Sequence, residues 1–244
     1  GSYNTSYYVR PYVINTEGIC YGETAVYTTS LFPPGNALEF DGDNDYVNLG
    51  SVASTDDLAL TETDFTISAW IKPAISGETY QRIVSKESGG TGSGGYALSL
   101  NNDGEFGVFI SGTNVLTYTG GFTANEWAHV AVTFDGTDTY TLYINGEQII
   151  QTTNTTVPPA STATMRIASS DAITNREFNG EADELRIWRI AKTQTEIRDN
   201  MYMELTGSEA DLVGYYSFNE TSGTNLPDLT NSDGIQDGTL VNMD

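Results

Sequence analysis

Apolar and polar residues alternate in short bursts along most of this chain, and the bursts are separated by Gly, Asn, Asp and Pro. A period of two marks a strand with one buried face, whereas an amphipathic helix repeats every 3.6 residues. In Phe65-Thr66-Ile67-Ser68-Ala69-Trp70-Ile71 the inward set is Phe65, Ile67, Ala69 and Ile71. In residues 127–134 it is Val130, Val132 and Phe134. Residues 141–149 fold back at Asn145-Gly146, a pair suited to a tight hairpin turn. Further strands are predicted over residues 37–40, 46–49, 82–85, 96–100, 106–110, 164–168, 212–218 and 238–242. Only the stretch from residue 193 or 195 to about 205 reads as a helix, with Ile197, Met201 and Leu205 on its apolar stripe. Many short strands, frequent turn signals and one short helix predict an all-β, antiparallel two-sheet sandwich.

The organising strand is residues 178–190. Strict alternation places Asp183 with Leu185 and Ile187 on the face expected to be buried, and Ala182, Glu184, Arg186 and Trp188 on the other. A carboxylate directed into a core needs a partner, and either a metal ion or several backbone N–H groups would serve.

The first 35 residues stand apart. An extended run over 7–14, a turn at Asn15-Thr16-Glu17-Gly18 and a return over 19–29 read as a hairpin, followed by the linker Leu31-Phe32-Pro33-Pro34-Gly35. Such a segment is too short to enclose its own core. The phrase Tyr8-Val9-Arg10-Pro11-Tyr12, with Glu17-Gly18 and Tyr21-Gly22-Glu23, resembles the last two strands of a fibronectin type III-like module. Residues 1–35 are therefore expected to be the tail of an upstream domain plus linker. Residues 36–244 form the main domain, covalently linked to other domains in the full-length protein.

Composition narrows the partners. With 33 acidic and 10 basic residues the formal charge is −23, which argues against nucleic acid and anionic membranes as partners. No apolar run reaches membrane-spanning length, so membrane insertion is not expected. The single cysteine, Cys20, excludes an internal disulfide framework and a cysteine zinc site, and the single histidine, His129, excludes a His-rich metal site. Abundant carboxylates do suit calcium, which prefers hard oxygen ligands.

Several phrases recur in a telling order: Ala37-Leu38-Glu39-Phe40-Asp41-Gly42-Asp43-Asn44-Asp45-Tyr46-Val47, Phe65 to Pro73, Trp127-Ala128-His129-Val130, Leu142-Tyr143-Ile144-Asn145-Gly146, and Phe178 to Ile187. Together they resemble the bacterial laminin-G-like form of the concanavalin A-like lectin/glucanase jelly roll. The resemblance covers residues 36–244 and implies a jelly-roll sandwich in a secreted or cell-surface protein. It also implies one Ca2+ ion held between a late-strand aspartate and an early acidic turn, here Asp183 with Asp41, Asp43 and Asp45. An EF-hand is excluded, because no Glu stands at the twelfth loop position and no helices flank it. The competing explanation is that the turn aspartates bond their own backbone and Asp183 caps amides.

The fold hosts lectins, adhesins, spacers and glycosidases, so function must come from a site. Trp70 and Trp188 point away from the inter-sheet core by parity and are candidate sugar platforms, with Tyr80 and Tyr143 beside them. Residues 76–82 and the glycine-rich stretch 89–95 are candidates for the rim; if loops or the helix cover these rings, they are core instead. An enzyme is not expected. Glu181 and Glu184 have opposite parity, and Leu185 and Arg186 stand where the family's hydrolase pattern needs a glutamate. The reading is a non-catalytic, calcium-supported carbohydrate-binding or adhesion module whose partner is a polysaccharide or glycoconjugate. The alternatives are a structural spacer or protein-interaction domain without a sugar site, and thirdly a glycosidase or lyase.

Overall fold

The computed structural model describes residues 6–28, 33, 35–53, 56–61, 63–75, 79–88, 93–230 and 236–243. The chain divides into two compact units, Gly1–Phe32 and Pro33–Asp244. The first contains β1 (Ser6–Val9), β2 (Tyr12–Asn15), β3 (Gly18–Tyr21) and β4 (Ala25–Thr28). Antiparallel pairing of β1 with β4 and β2 with β3 makes one long hairpin. Asn15 Oδ1 closes its turn by accepting the Glu17 and Gly18 N–H groups at 2.9 and 3.1 Å. Tyr12, Val13, Ile14 and Ile19 of this hairpin are exposed. Of the expected linker, only Pro33 and Gly35 lie within the described residues.

The second unit begins with β5 (Leu38–Asp41), β6 (Tyr46–Ser51), β7 (Phe65–Pro73), β8 (Gln81–Ser88), β9 (Ser93–Leu100) and β10 (Phe106–Ile110). It continues with β11 (Thr113–Tyr118), β12 (Ala128–Phe134), β13 (Thr139–Ile144), β14 (Glu147–Thr153), β15 (Thr164–Ile167) and β16 (Asn179–Trp188). After α1 (Gln194–Asn200) come β17 (Leu212–Tyr216), β18 (Asn225–Leu226) and β19 (Gly238–Val241). One sheet of eight strands runs β11-β10-β9-β8-β15-β6-β19-β18; the other, of seven, runs β14-β13-β12-β7-β16-β17 with β5 added beside β16. The result is a two-sheet antiparallel jelly-roll sandwich. Its core takes the inward residues the alternation predicts: Phe65, Ile67, Ala69, Ile71, Val130, Val132 and Phe134 are all fully buried in one apolar cluster. The Asn145-Gly146 turn has both residues at positive φ, 52° and 75°, as a type I′ hairpin requires.

The helix is shorter than the sequence suggests. Thr193 and Glu196 form a capping box at its start, and Asn200 Nδ2 donates to the Glu196 carbonyl at 2.7 Å where it ends. Leu205 lies beyond it and packs on Trp188 and Tyr215.

Strict alternation fails in β16. Ala182, Leu185 and Ile187 all join the core, yet Ala182 and Leu185 are three residues apart. Glu184 sits at φ 53°, and the pairing with β7 shifts register between Asp183 and Arg186. This bulge turns Asp183 to the outer face, opposite Trp70 and beside Arg186, which corrects the expectation that it shares the face of Leu185 and Ile187. That outer face is not wet. The segment after β16 is stapled across it: Trp70 Nε1 donates to the Met201 carbonyl at 2.7 Å, and Arg186 donates to the carbonyls of Asn200 and Met203. Leu205 N–H donates to Tyr215 Oη at 3.1 Å.

Candidate functional site

Beneath that cover lie most of the residues expected to meet ligand. Trp70 is fully buried, edge-on to His129 at 5.4 Å and tilted against Tyr202 at 5.3 Å. Trp188 is buried with Lys192 Nζ 4.1 Å from its ring centre, and Tyr143 packs on Ala131 and Ile197. The expectation that these three rings line an open sheet face is therefore corrected. A cavity of about 20 Å³ remains there, room for a single water, lined by Thr66, Ser68, His129 and Arg186 among others. Burial, and secondarily the Arg186 charge, push His129 down to about 3, so it stays neutral.

The four aspartates of the calcium expectation do not converge. Asp41 Oδ1 accepts the Asp43 N–H at 2.8 Å and Asp45 Oδ2 accepts the Asp41 N–H at 3.1 Å, the self-bonding expected of Asx turns. Asp41 pairs opposite Asn179, four residues from Asp183, or roughly 13 Å along the strand. Among the described residues, no group of three or more His, Cys, Asp or Glu side chains could hold a metal ion. Only one oxygen of the buried Asp183 carboxyl finds a partner. Its Oδ1 accepts the Glu184 N–H at 2.8 Å, while Oδ2 has no hydrogen-bond partner. Burial, then the adjacent Glu184 charge, push its carboxyl up to about 8.

Among the described residues, a larger cleft with convergent aromatic and polar groups lies on the other sheet. Its volume is about 260 Å³, and it is bounded by Tyr80, Arg82, Glu87, Phe109, Gly112, Ile173 and Arg176. In β10 the core takes Phe106, Val108 and Ile110, which leaves Phe109 facing outward. Its ring lies across Gly107, where a Cβ would stand only 3.0 Å from Phe109 Cε2 and 3.0 Å from Ser99 Oγ. The rings of Phe109 and Tyr80 meet at 87° with centres 5.6 Å apart, forming an aromatic corner. Tyr80 is 38% exposed and occupies the left-handed region at φ 57°, held by its N–H donating to Asn101 Oδ1 at 2.7 Å.

At the base of this corner lies a buried ion pair. Arg82 Nε and Nη2 donate to the two oxygens of Glu87 at 2.8 and 2.9 Å, and Nη1 donates to the Tyr80 carbonyl at 3.0 Å. The two side chains are 3% and 2% exposed. The Arg82 guanidinium stands 4.9 Å from the Phe109 ring centre, and Ser170 Oγ donates to Glu87 at 3.2 Å. Residues 82 and 87 would face opposite sides of a regular strand. A register shift between Arg82 and Val84 brings them to the same side. Arg176 forms the wall beside Tyr80, its Nη1 donating to the carbonyls of Thr79 and Asn175 at 3.1 and 2.6 Å. Residues 76–78 and 89–92, expected to form a rim, lie outside the described residues.

Apolar ring faces at right angles above a paired donor and acceptor suit a polyhydroxylated ligand with C–H faces. Only one carboxylate, locked by arginine, is among the described lining residues. The class that the fold defines is the antiparallel two-sheet jelly-roll sandwich. The chain belongs to the Concanavalin A-like lectin/glucanases superfamily, whose laminin-G-like profile matches residues 41–198.

Among curated proteins it is 25% identical to pappalysin-1 of Mus musculus over 192 residues, covering 69% of this chain and 11% of that protein. The chain thus spans about a tenth of the curated relatives it matches. Its fold recurs among solved structures. A candidate carbohydrate-binding protein of Bacteroides ovatus superposes with TM-score 0.64 at 21% identity, over 91% of this chain and 61% of that one. A pentraxin of Limulus polyphemus gives 0.56 at 17%, over 83% and 94%. Domain 4 of an extracellular arabinanase of Geobacillus stearothermophilus, in complex with arabinotriose, gives 0.50 at 21%, over 79% and 81%.

Proposed function

We propose that the unit Pro33–Asp244 is a non-catalytic carbohydrate-binding module and that the Tyr80–Phe109 cleft is its binding site. The observation that carries this is the perpendicular pair of rings above the buried Arg82–Glu87 pair, which offers stacking surface and directional polar groups together. The arabinotriose complex of a structural neighbour supports the ligand class. That neighbour's extracellular arabinanase also supports a secreted or cell-surface setting. Among the described residues no helix is long and apolar enough to cross a membrane. The N-terminal hairpin fits the tail of an upstream fibronectin III-like module that joins this one to its neighbours.

Affinity electrophoresis against soluble polysaccharides tests the reading. At least one polysaccharide retards the wild type, equally in calcium and in chelator, because the cleft binds through its own side chains. Phe109→Ala, or Tyr80→Asn (a residue that tolerates the left-handed backbone), weakens that retardation about tenfold or more. Retardation by nothing in the panel would move the module to the spacer class. Retardation that both variants keep would put the site elsewhere.

A further inference from the structure

We infer that the cleft selects neutral saccharides by reading two adjacent ring hydroxyls with Arg82 and Glu87 as one unit; this rests on the carbohydrate reading above. A guanidinium has five N–H groups, and three of those on Arg82 are committed, two to Glu87 and one to the Tyr80 carbonyl. Two remain. Among the described residues, Glu87 Oε2 receives Arg82 Nε and Ser170 Oγ, whereas Oε1 receives only Arg82 Nη2 at 2.9 Å. A free donor therefore stands beside an acceptor with a free lone pair, 2.9 Å apart, at the foot of the aromatic corner. Neighbouring hydroxyls held gauche on a sugar ring present their oxygens at a similar spacing. One hydroxyl donates to Glu87 Oε1 while its neighbour accepts from Arg82, and the ring's C–H face lies on Tyr80 or Phe109.

The same geometry disfavours a carboxylate or sulfate. To bind one, Arg82 would have to loosen from Glu87 and leave a buried carboxylate uncompensated, the costly way to break such a pair. Arg176, the other cation lining the cleft, is tied to the carbonyls of Thr79 and Asn175 and braces the Tyr80 turn. A chain of formal charge −23 also repels polyanions at long range.

Calorimetry with arabinan, galactomannan and xyloglucan on one side, and polygalacturonate and alginate on the other, decides this at low and at high salt. The expected result is binding to a neutral polysaccharide, with affinity changing less than about twofold with salt and at least tenfold weaker binding of both acidic ones. Glu87→Gln, which keeps the shape of the pair, weakens the neutral ligand about tenfold. A monodeoxy derivative of the bound sugar lacking either recognised hydroxyl does the same with the wild-type protein, so the test survives a variant that folds poorly. Preference for an acidic polysaccharide with steep salt dependence overturns the inference and leaves the carbohydrate reading standing. So does neutral binding that neither Glu87→Gln nor any deoxy sugar weakens. Binding to none of the five overturns both.

Discussion

Replacing Asp183 with asparagine stabilises the sandwich at pH 7 by roughly 2 kcal/mol or more, about 4–8 °C in the thermal midpoint. The folded carboxyl titrates near 8, against an unfolded value close to 4. Between those limits the folded chain keeps a proton that the unfolded chain has released. The favourable contribution of the protonated form is thus fully present below about pH 4 and is lost as pH rises toward 8. Asparagine retains an oxygen for the Glu184 N–H and carries no charge next to Glu184. Melting curves from pH 4 to pH 8 should accordingly fall less steeply for Asp183→Asn than for the wild type. A variant that is less stable at pH 7 and keeps the wild-type slope would show that the carboxylate is charged and paired.

Glu87→Ala destabilises the second unit by about 3–5 kcal/mol, read from urea unfolding. The Arg82 and Glu87 side chains are 3% and 2% exposed, so the truncation strands a buried guanidinium and also removes the acceptor of Ser170 Oγ. The charge-free double variant Arg82→Met, Glu87→Leu recovers most of that loss, because both desolvated charges go together. It does not recover sugar binding. A single-variant loss below about 1 kcal/mol would mean the pair is solvated and energetically a surface pair.

What was legible in the sequence was whatever obeys a period of two. The inward sets of β7 and β12, the Asn145-Gly146 turn and the antiparallel sandwich all follow from local alternation and turn chemistry. The failures come from two places where the period slips. In β16 one extra residue at Glu184 turns Asp183 outward, away from the core face that alternation assigns to it. In β8 the shift after Arg82 aligns residues that alternation separates, so the Arg82–Glu87 pair is invisible to a parity argument. A third miss is non-local. Parity correctly directs Trp70 away from the core, but Met201, 131 residues later, covers it, and nothing near Trp70 announces that. Phe109 was within reach: inward Phe106, Val108 and Ile110 leave an aromatic facing out, the exposed apolar residue that a binding surface needs.

Where the sugar sits is best decided by heteronuclear NMR, titrating the protein with short fragments of the polysaccharide that retards it most. Shifts centred on the Tyr80 and Asn101 amides, the Arg82 Nε–H and the β10 amides around Phe109 are the predicted outcome, with the Trp70 and Trp188 indole signals unmoved. Shifts centred on the Asp41 turn or on the segment covering Trp70, with the Arg82 Nε–H unmoved, would contradict it.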